Sequence, residues 1–199
     1  MSTVNCDLAV SLDGYVAGPN QSFENPLGEG GMRLHTWHMP DTGTEEDLEL
    51  AAGWMKVGAH IMGRHMFGPG RGGWDLTWRG WWGEEPPYAV PVFVLTHHPR
   101  EPLEMGRTTF HFVTDGIHSA LEQARAAAGE EPVAIAGGAS TVNQYLAAGL
   151  IDRLNLHVVP LVLGGPGERL FDGVPATDLE PVEVRHSPAV THLSYAVRR

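Results

Sequence analysis

The chain has 199 residues, enough for one domain that buries about 70% of its unfolded surface without disulfide staples. Its net charge of −11 argues against nucleic acid or an anionic membrane as the main partner, because both want a basic face. The single cysteine, Cys6, sits in an apolar run and reads as a buried thiol, so no disulfide framework is available within one chain. No basic segment precedes a long apolar core, and no apolar run approaches the ~18 residues of a membrane span. Neither a signal peptide nor a membrane helix is therefore expected, and the expected location is the cytoplasm. The 25 Gly and 15 Pro point to many tight turns and shaped loops.

Val4 to Leu12 is short and apolar and stops at Asp13-Gly14, which reads as a buried strand and a turn. Residues 18–43 show no clean period and read as a long shaped loop of functional character. Thr44 opens a helix. It is a good N-cap, Asp47 stands three residues on, and Leu48, Ala51, Ala52 and Met55 mark one apolar face before Gly58. Ala59–Met62, Pro91–Thr96, Thr109–Val113, Pro132–Ala136 and Leu154–Pro160 follow as strands. Helices are expected from Thr114 or Asp115 to Ala128 and from Ser140 to Ala148. Val182–His186 and Val190–Val197 read as a closing hairpin. The alternation predicts an α/β domain of three α/β/α layers over residues 1–199. Its mixed, mainly parallel sheet would finish with a C-terminal antiparallel hairpin.

Three strand ends share one chemical character. Ile61-Met62-Gly63-Arg64-His65 stops at a glycine followed by a guanidinium, whose fork of donors suits phosphate oxygens. Val94-Leu95-Thr96-His97-His98-Pro99-Arg100 ends in a hydroxyl, two imidazoles and another guanidinium. Ile135-Ala136-Gly137-Gly138-Ala139-Ser140-Thr141 runs through two glycines into a helix whose first amides can cradle an anion. In open α/β sheets, ligands sit beyond the carboxyl ends of the strands. A dinucleotide bearing an extra 2′-phosphate would use all three ends.

With Ala9-Val10-Ser11-Leu12-Asp13-Gly14-Tyr15-Val16-Ala17-Gly18, these runs resemble the dihydrofolate reductase superfamily, in the branch related to the reductase domain of riboflavin biosynthesis. The resemblance spans Val4 to about Tyr195. It implies NADPH as cofactor, with Val16, Ala17 and Gly18 closing over the nicotinamide ribose. By the same resemblance, Gly63, Arg64, His65, Thr96, His97, His98 and Arg100 hold the 2′-phosphate and nearby phosphates. Gly137, Gly138, Ala139, Ser140 and Thr141 take the pyrophosphate. Met66 departs from the Thr usual in folate reductases.

Counting back from Gly63 gives Asp47 the place of the substrate-pocket acid, where a carboxyl could anchor the ring or donate a proton. Its other reading is a helix-capping residue. No His-x-Glu with Pro-Cys-x-x-Cys is present, so the zinc deaminase half that often accompanies such reductases is absent from this sequence. His35 and His38 have the spacing of metal ligands but lack supporting partners in sequence, and no metal is expected. Trp74, Trp78, Trp81 and Trp82 are expected to pack on their own domain or on a second subunit of a homodimer, or else to stack on a flat substrate. Gly164-Gly165-Pro166-Gly167 reads as a turn near the end of the sheet.

The expected activity is hydride transfer from NADPH to a small pterin-like or pyrimidine-like substrate. One alternative is reduction of the riboflavin-pathway compound 5-amino-6-(5-phosphoribosylamino)uracil, whose phosphate would call on Arg33, Arg71 and Arg79. The other is a non-catalytic NADP-binding protein.

Overall fold

The computed structural model describes residues 2–167 and 169–198. Among these residues, nine strands form one sheet. In chain order they are β1 (Val4–Ser11), β2 (Ala59–Gly63), β3 (Val92–Leu95), β4 (Leu103–Met105), β5 (Thr108–Val113), β6 (Val133–Gly137), β7 (Arg153–Val159), β8 (Leu179–His186) and β9 (Thr191–Val197). Their spatial order is β4-β5-β3-β2-β6-β1-β7-β9-β8. From β5 to β7 neighbouring strands run parallel, while β4 and the β8–β9 hairpin are antiparallel edges. The helices are α1 (Glu45–Gly53), α2 (Arg64–Phe67), α3 (Gly116–Ala128) and α4 (Ala139–Ala147). The expected α/β architecture is thus present, and no helix among the described residues is long and apolar enough to cross a membrane.

One face of the sheet is a continuous apolar core. Val4, Cys6 and Leu8 of β1, Ile61 of β2, Val133 and Ile135 of β6 and Leu154 of β7 meet Leu121, Ala124 and Ala128 of α3 and Val142 and Tyr145 of α4. Residues two apart along a strand share a face, which explains how near-continuous apolar runs supply one core and leave every other residue for the opposite face. Burial also pushes the Cys6 thiol well above its ordinary pKa, so it is an inert packing group.

The opposite face carries two separate apolar clusters. One joins Met62, Phe67, Tyr88, Val92, Val94 and Phe110, and most of the Trp-rich segment packs on it. The other joins Ala9, Leu34, Trp37, Val159, Leu161 and Val190. Trp82 stacks on Phe110 and Trp74 packs edge-on to Phe112, so the Trp loop folds onto its own domain.

Two expectations change in detail. Helix α1 ends at Gly53, so Met55 lies beyond it, and Ala52 is exposed. Its fully buried residue is Asp47, because the helix docks through its first turn rather than along an apolar stripe. The short strand β4 and helix α2 fall inside segments with no periodic signal. Helix α2 is a single turn, too short to display a helical period.

Asp13 ties the turn after β1 to the turn after β7. Its carboxylate accepts from the amides of Leu163 (3.1 Å) and Gly164 (2.8 Å), while Arg169 Nε donates to its carbonyl oxygen (2.8 Å). Desolvation works against ionisation. Hydrogen bonds from Ser11 and the two amides outweigh it and hold the pKa at about 2. A folded pKa below the unfolded value gives stability that is fully present above about pH 4 and lost as pH falls through about 2. Asp13→Ala should therefore cost about 1–3 kcal/mol at neutral pH in urea denaturation, and should make the stability loss between those pH values shallower than the parent's. A variant that loses stability on acidification as steeply as the parent would contradict this role.

Candidate functional site

Strands β3, β2 and β6 are neighbours in the sheet, so the three motifs that follow them stand side by side at its carboxyl edge. Gly63 closes β2 and caps α2. A Cβ on Gly63 would sit 2.5 Å from Thr141 Oγ1, so the β2 end and the first turn of α4 touch because residue 63 has no side chain. Gly137 has φ 125°, and the peptide joining it to Gly138 is cis. Gly138 is exposed and caps α4 without any side-chain hydrogen bond. The amides of Ala139, Ser140 and Thr141 open α4, where the helix provides them no acceptor. Ala139 and Thr141 are buried, whereas Ser140 is exposed.

Arg64 and Arg100 approach from β2 and β3. The Arg64 guanidinium lies 3.5 Å from the Trp74 ring centroid, with Nε donating to the Gly70 carbonyl at 3.0 Å. Arg100 Nη2 donates to the Trp78 carbonyl at 2.8 Å, and its guanidinium lies 5.3 Å from the same Trp74 ring. Desolvation, with each residue's cationic neighbour, lowers the pKa of both groups. Both Nη1 atoms are buried without a hydrogen-bond partner, and neither guanidinium ion-pairs with a carboxylate within 4.0 Å among the described residues. Asp75 is close enough to Arg100 to act on it electrostatically, but two cations that share one indole without a direct ion pair still form a site suited to an anion.

The remaining expected cofactor residues divide by exposure. Thr96 is buried, and its hydroxyl closes the turn by accepting from the His98 amide at 3.1 Å. His98 is half-buried, and its carbonyl accepts from Trp74 Nε1 at 2.7 Å. His97 and His65 are exposed. His65 borders a small cavity shared with Gln21, Ser22 and Arg71. Val16 packs on the main core, Ala17 is half-buried, and the buried Gly18 donates to the Leu27 carbonyl at 2.8 Å. These three residues form the root of the long loop beside β1.

Asp47 lies apart from these strand ends, on the far side of β1. Its side chain is 1% exposed. It completes a capping box with Thr44, and Oδ1 accepts from His192 Nε2 at 3.0 Å. Desolvation raises its pKa, but hydrogen bonds from His192, Thr44 and Ser187 prevail and hold the carboxyl below its usual range. The capping reading therefore describes what Asp47 does in the fold.

What the sequence reading missed is the polar interior behind Asp47. His192 on β9 and His157 on β7 are paired across the ladder, with Nδ1 atoms 2.7 Å apart. His157 Nε2 faces Asp7 Oδ1 on β1 at 3.8 Å, and Asn155 Nδ2 donates to the same oxygen at 2.9 Å. Trp37 stacks on His157. The signal was present as ionisable residues inside apolar strand runs, which calls for partners from distant segments. His35 Nδ1 and His38 Nε2 stand 3.0 Å apart nearby. Among the described residues, no group of three or more His, Cys, Asp or Glu is arranged to hold a metal ion.

No curated protein matches the chain. Among solved structures, a protein assigned to riboflavin biosynthesis from Shewanella sp. PV-4 is 23% identical over the whole of both chains, with TM-score 0.68. A pyrimidine reductase-like protein from Corynebacterium diphtheriae is 15% identical, with TM-score 0.61, over all of this chain and 92% of its own. A diaminohydroxyphosphoribosylaminopyrimidine deaminase/5-amino-6-(5-phosphoribosylamino)uracil reductase from Thermotoga maritima aligns with 99% of this chain but only 57% of its own, at 12% identity and TM-score 0.58. These likenesses show a shared fold. The RibD C-terminal domain family matches residues 2–193, nearly the whole chain, and the protein belongs to that family of riboflavin-pathway reductases.

Proposed function

We propose that the protein is an NADPH-dependent reductase acting on a small pterin-like or pyrimidine-like substrate. The observation that carries the cofactor reading is the pair of guanidiniums Arg64 and Arg100, neither in a direct ion pair among the described residues and each with a buried, unpartnered Nη1 beside Trp74. They fit the doubly charged 2′-phosphate that separates NADPH from NADH. His97 and His98 flank the same site. The first turn of α4 after Gly138 fits the pyrophosphate, and the contact between Gly63 and Thr141 keeps the two phosphate sites in register. Gly137, His65, Ala139 and Ser140 complete the rim of the cradle. Val16, Ala17 and Gly18 lie beyond the end of β1, where a nicotinamide ribose would reach.

Bound there, NADPH supplies hydride, and the chain supplies orientation and electrostatics. The glycine floor lets the backbone approach the ligand, while the two guanidiniums fix its register. Exclusion of water falls to the long 18–43 loop, which is anchored at its root by Gly18 and Gly28–Gly31 contacts.

A second reading, in which the substrate is 5-amino-6-(5-phosphoribosylamino)uracil, is favoured by membership of the riboflavin-pathway family. That substrate's own phosphate needs cations. Arg33 and Arg71 are exposed, and Arg79 sits 3.5 Å from Glu84.

Arg64→Ala and Arg100→Ala should each weaken NADPH binding by about tenfold or more while changing NADH binding by less than about threefold, as read by isothermal titration calorimetry. Equal losses for both nucleotides would reject the 2′-phosphate assignment. Wild-type protein should consume NADPH when offered a dihydropterin or the ribosylaminopyrimidine. Tight NADPH binding with no turnover across both substrate classes would favour a non-catalytic binding protein.

A further inference from the structure

Two guanidiniums drawn from neighbouring strand ends repel each other, and a fold ordinarily pairs such groups with carboxylates. At the basic end of this sheet edge an indole takes that place. The Arg64 guanidinium lies over Trp74, 3.5 Å from the ring centroid, and Arg100 stands 5.3 Å from the same ring. The ring is itself fixed. Its Nε1 donates to the His98 carbonyl at 2.7 Å, and it packs edge-on against Phe67 and Phe112, with centroids 5.7 and 4.9 Å away.

Backbone carbonyls complete the hold. Arg64 donates from Nε to Gly70 at 3.0 Å and from Nη2 to Gly73 at 3.5 Å. Arg100 Nη2 reaches the carbonyls of Trp78 at 2.8 Å and Leu76 at 3.4 Å. A π face and carbonyl dipoles attract a cation without cancelling its charge. Each Nη1 is left buried with no hydrogen-bond partner. Buried polar groups in folded chains are almost always paired, so these two donors point to a ligand.

One carboxylate stands ready to neutralise the pair. Asp75 follows Trp74 directly, and its charge acts on Arg100. The two form no ion pair within 4.0 Å. Thr77 holds the acid instead: Asp75 Oδ1 accepts from the Thr77 amide at 2.9 Å and from the Thr77 hydroxyl at 2.6 Å. Asp75 and Thr77 are both exposed, so no packing restrains the carboxylate once these bonds are lost. The other charged neighbour of Arg100 on this segment is Arg79, a cation that lies 3.5 Å from Glu84.

We propose that Trp74 and Thr77 set the ligand specificity of this site. Trp74 holds Arg64 and Arg100 together with their charges intact, and Thr77 keeps the Asp75 carboxylate off Arg100. A dianionic monoester phosphate then supplies the missing counter-charge. Trp74 and Thr77 are positioning residues, and the two guanidiniums are the groups that touch the phosphate. The 2′-phosphate of a dinucleotide and the 5-phosphate of a ribosyl substrate share this chemistry. The choice of the 2′-phosphate rests on the cofactor reading above, whereas the roles of Trp74 and Thr77 rest on their contacts alone.

The test titrates the full chain by calorimetry with adenosine 2′-monophosphate, with adenosine and with ribose 5-phosphate. Adenosine 2′-monophosphate should bind at least about tenfold more tightly than adenosine. Trp74→Ala should cut that preference by about fivefold or more, and Trp74→Phe, which keeps a ring face, should restore most of it. Thr77→Ala should weaken the phosphate ligand by about threefold, and adding Asp75→Asn to Thr77→Ala should recover the loss, with adenosine binding unchanged throughout. The exposed Thr77 and Asp75 variants decide the matter should Trp74→Ala fail to fold. Adenosine 2′-monophosphate binding that ignores both Trp74→Ala and Thr77→Ala would overturn the proposal and leave the cofactor reading standing. A Thr77→Ala loss that Asp75→Asn does not repair would also overturn it. A chain that takes neither phosphate would sink both readings. Ribose 5-phosphate binding more tightly than adenosine 2′-monophosphate, with the same dependence on Trp74 and Thr77, would uphold the positioning roles and remove the 2′-phosphate assignment.

Discussion

The contact between the Gly63 backbone and Thr141 Oγ1 is the constraint on which the arrangement of this protein depends. It joins the end of one parallel strand to the first turn of the helix that follows its neighbour. A side chain at residue 63 would force Thr141, or the turn that carries it, to give way. With the hydrogen atom there, the end of β2 and the first turn of α4 pack directly against each other. The parallel sheet supplies the rest, because it sends the ends of β3, β2 and β6 in one direction.

The two faces of the sheet do different work. The face covered by α3 and α4 is uninterrupted hydrocarbon, and stability comes from burying it. The other face is divided, and ionisable side chains occupy the division. Buried groups of this kind are costly unless they are bonded. The Asp47–His192–His157 chain meets that cost over part of this division.

Much of this was legible in the amino-acid sequence, for identifiable reasons. The strand ends at Gly63, Thr96 and Gly137 announce themselves because a glycine or a hydroxyl interrupts an apolar run where a helix or turn begins. Thr44 and Asp47 spell a capping box, and the structure contains one. The α3 face of Leu121, Ala124 and Ala128 is periodic and is buried as expected. What stayed hidden depends on contacts between distant segments. Asp47 meets His192 across 145 positions, and His157 meets Asp7 across a similar separation. No local period records such pairings. The apolar residues of α1 misled for a related reason: the helix docks by its polar first turn, so its hydrocarbon stripe does not report its orientation.

Trp74 is held by three groups at once. Arg64 covers its face, Arg100 flanks it, and the His98 carbonyl takes its indole hydrogen. Indole emission responds to the charge and polarity of its surroundings. Anything negative that draws either guanidinium off the ring would alter the brightness and colour of that emission. If the proposed site holds a ligand, Trp74 gauges its arrival at the basic end optically, with no label to attach.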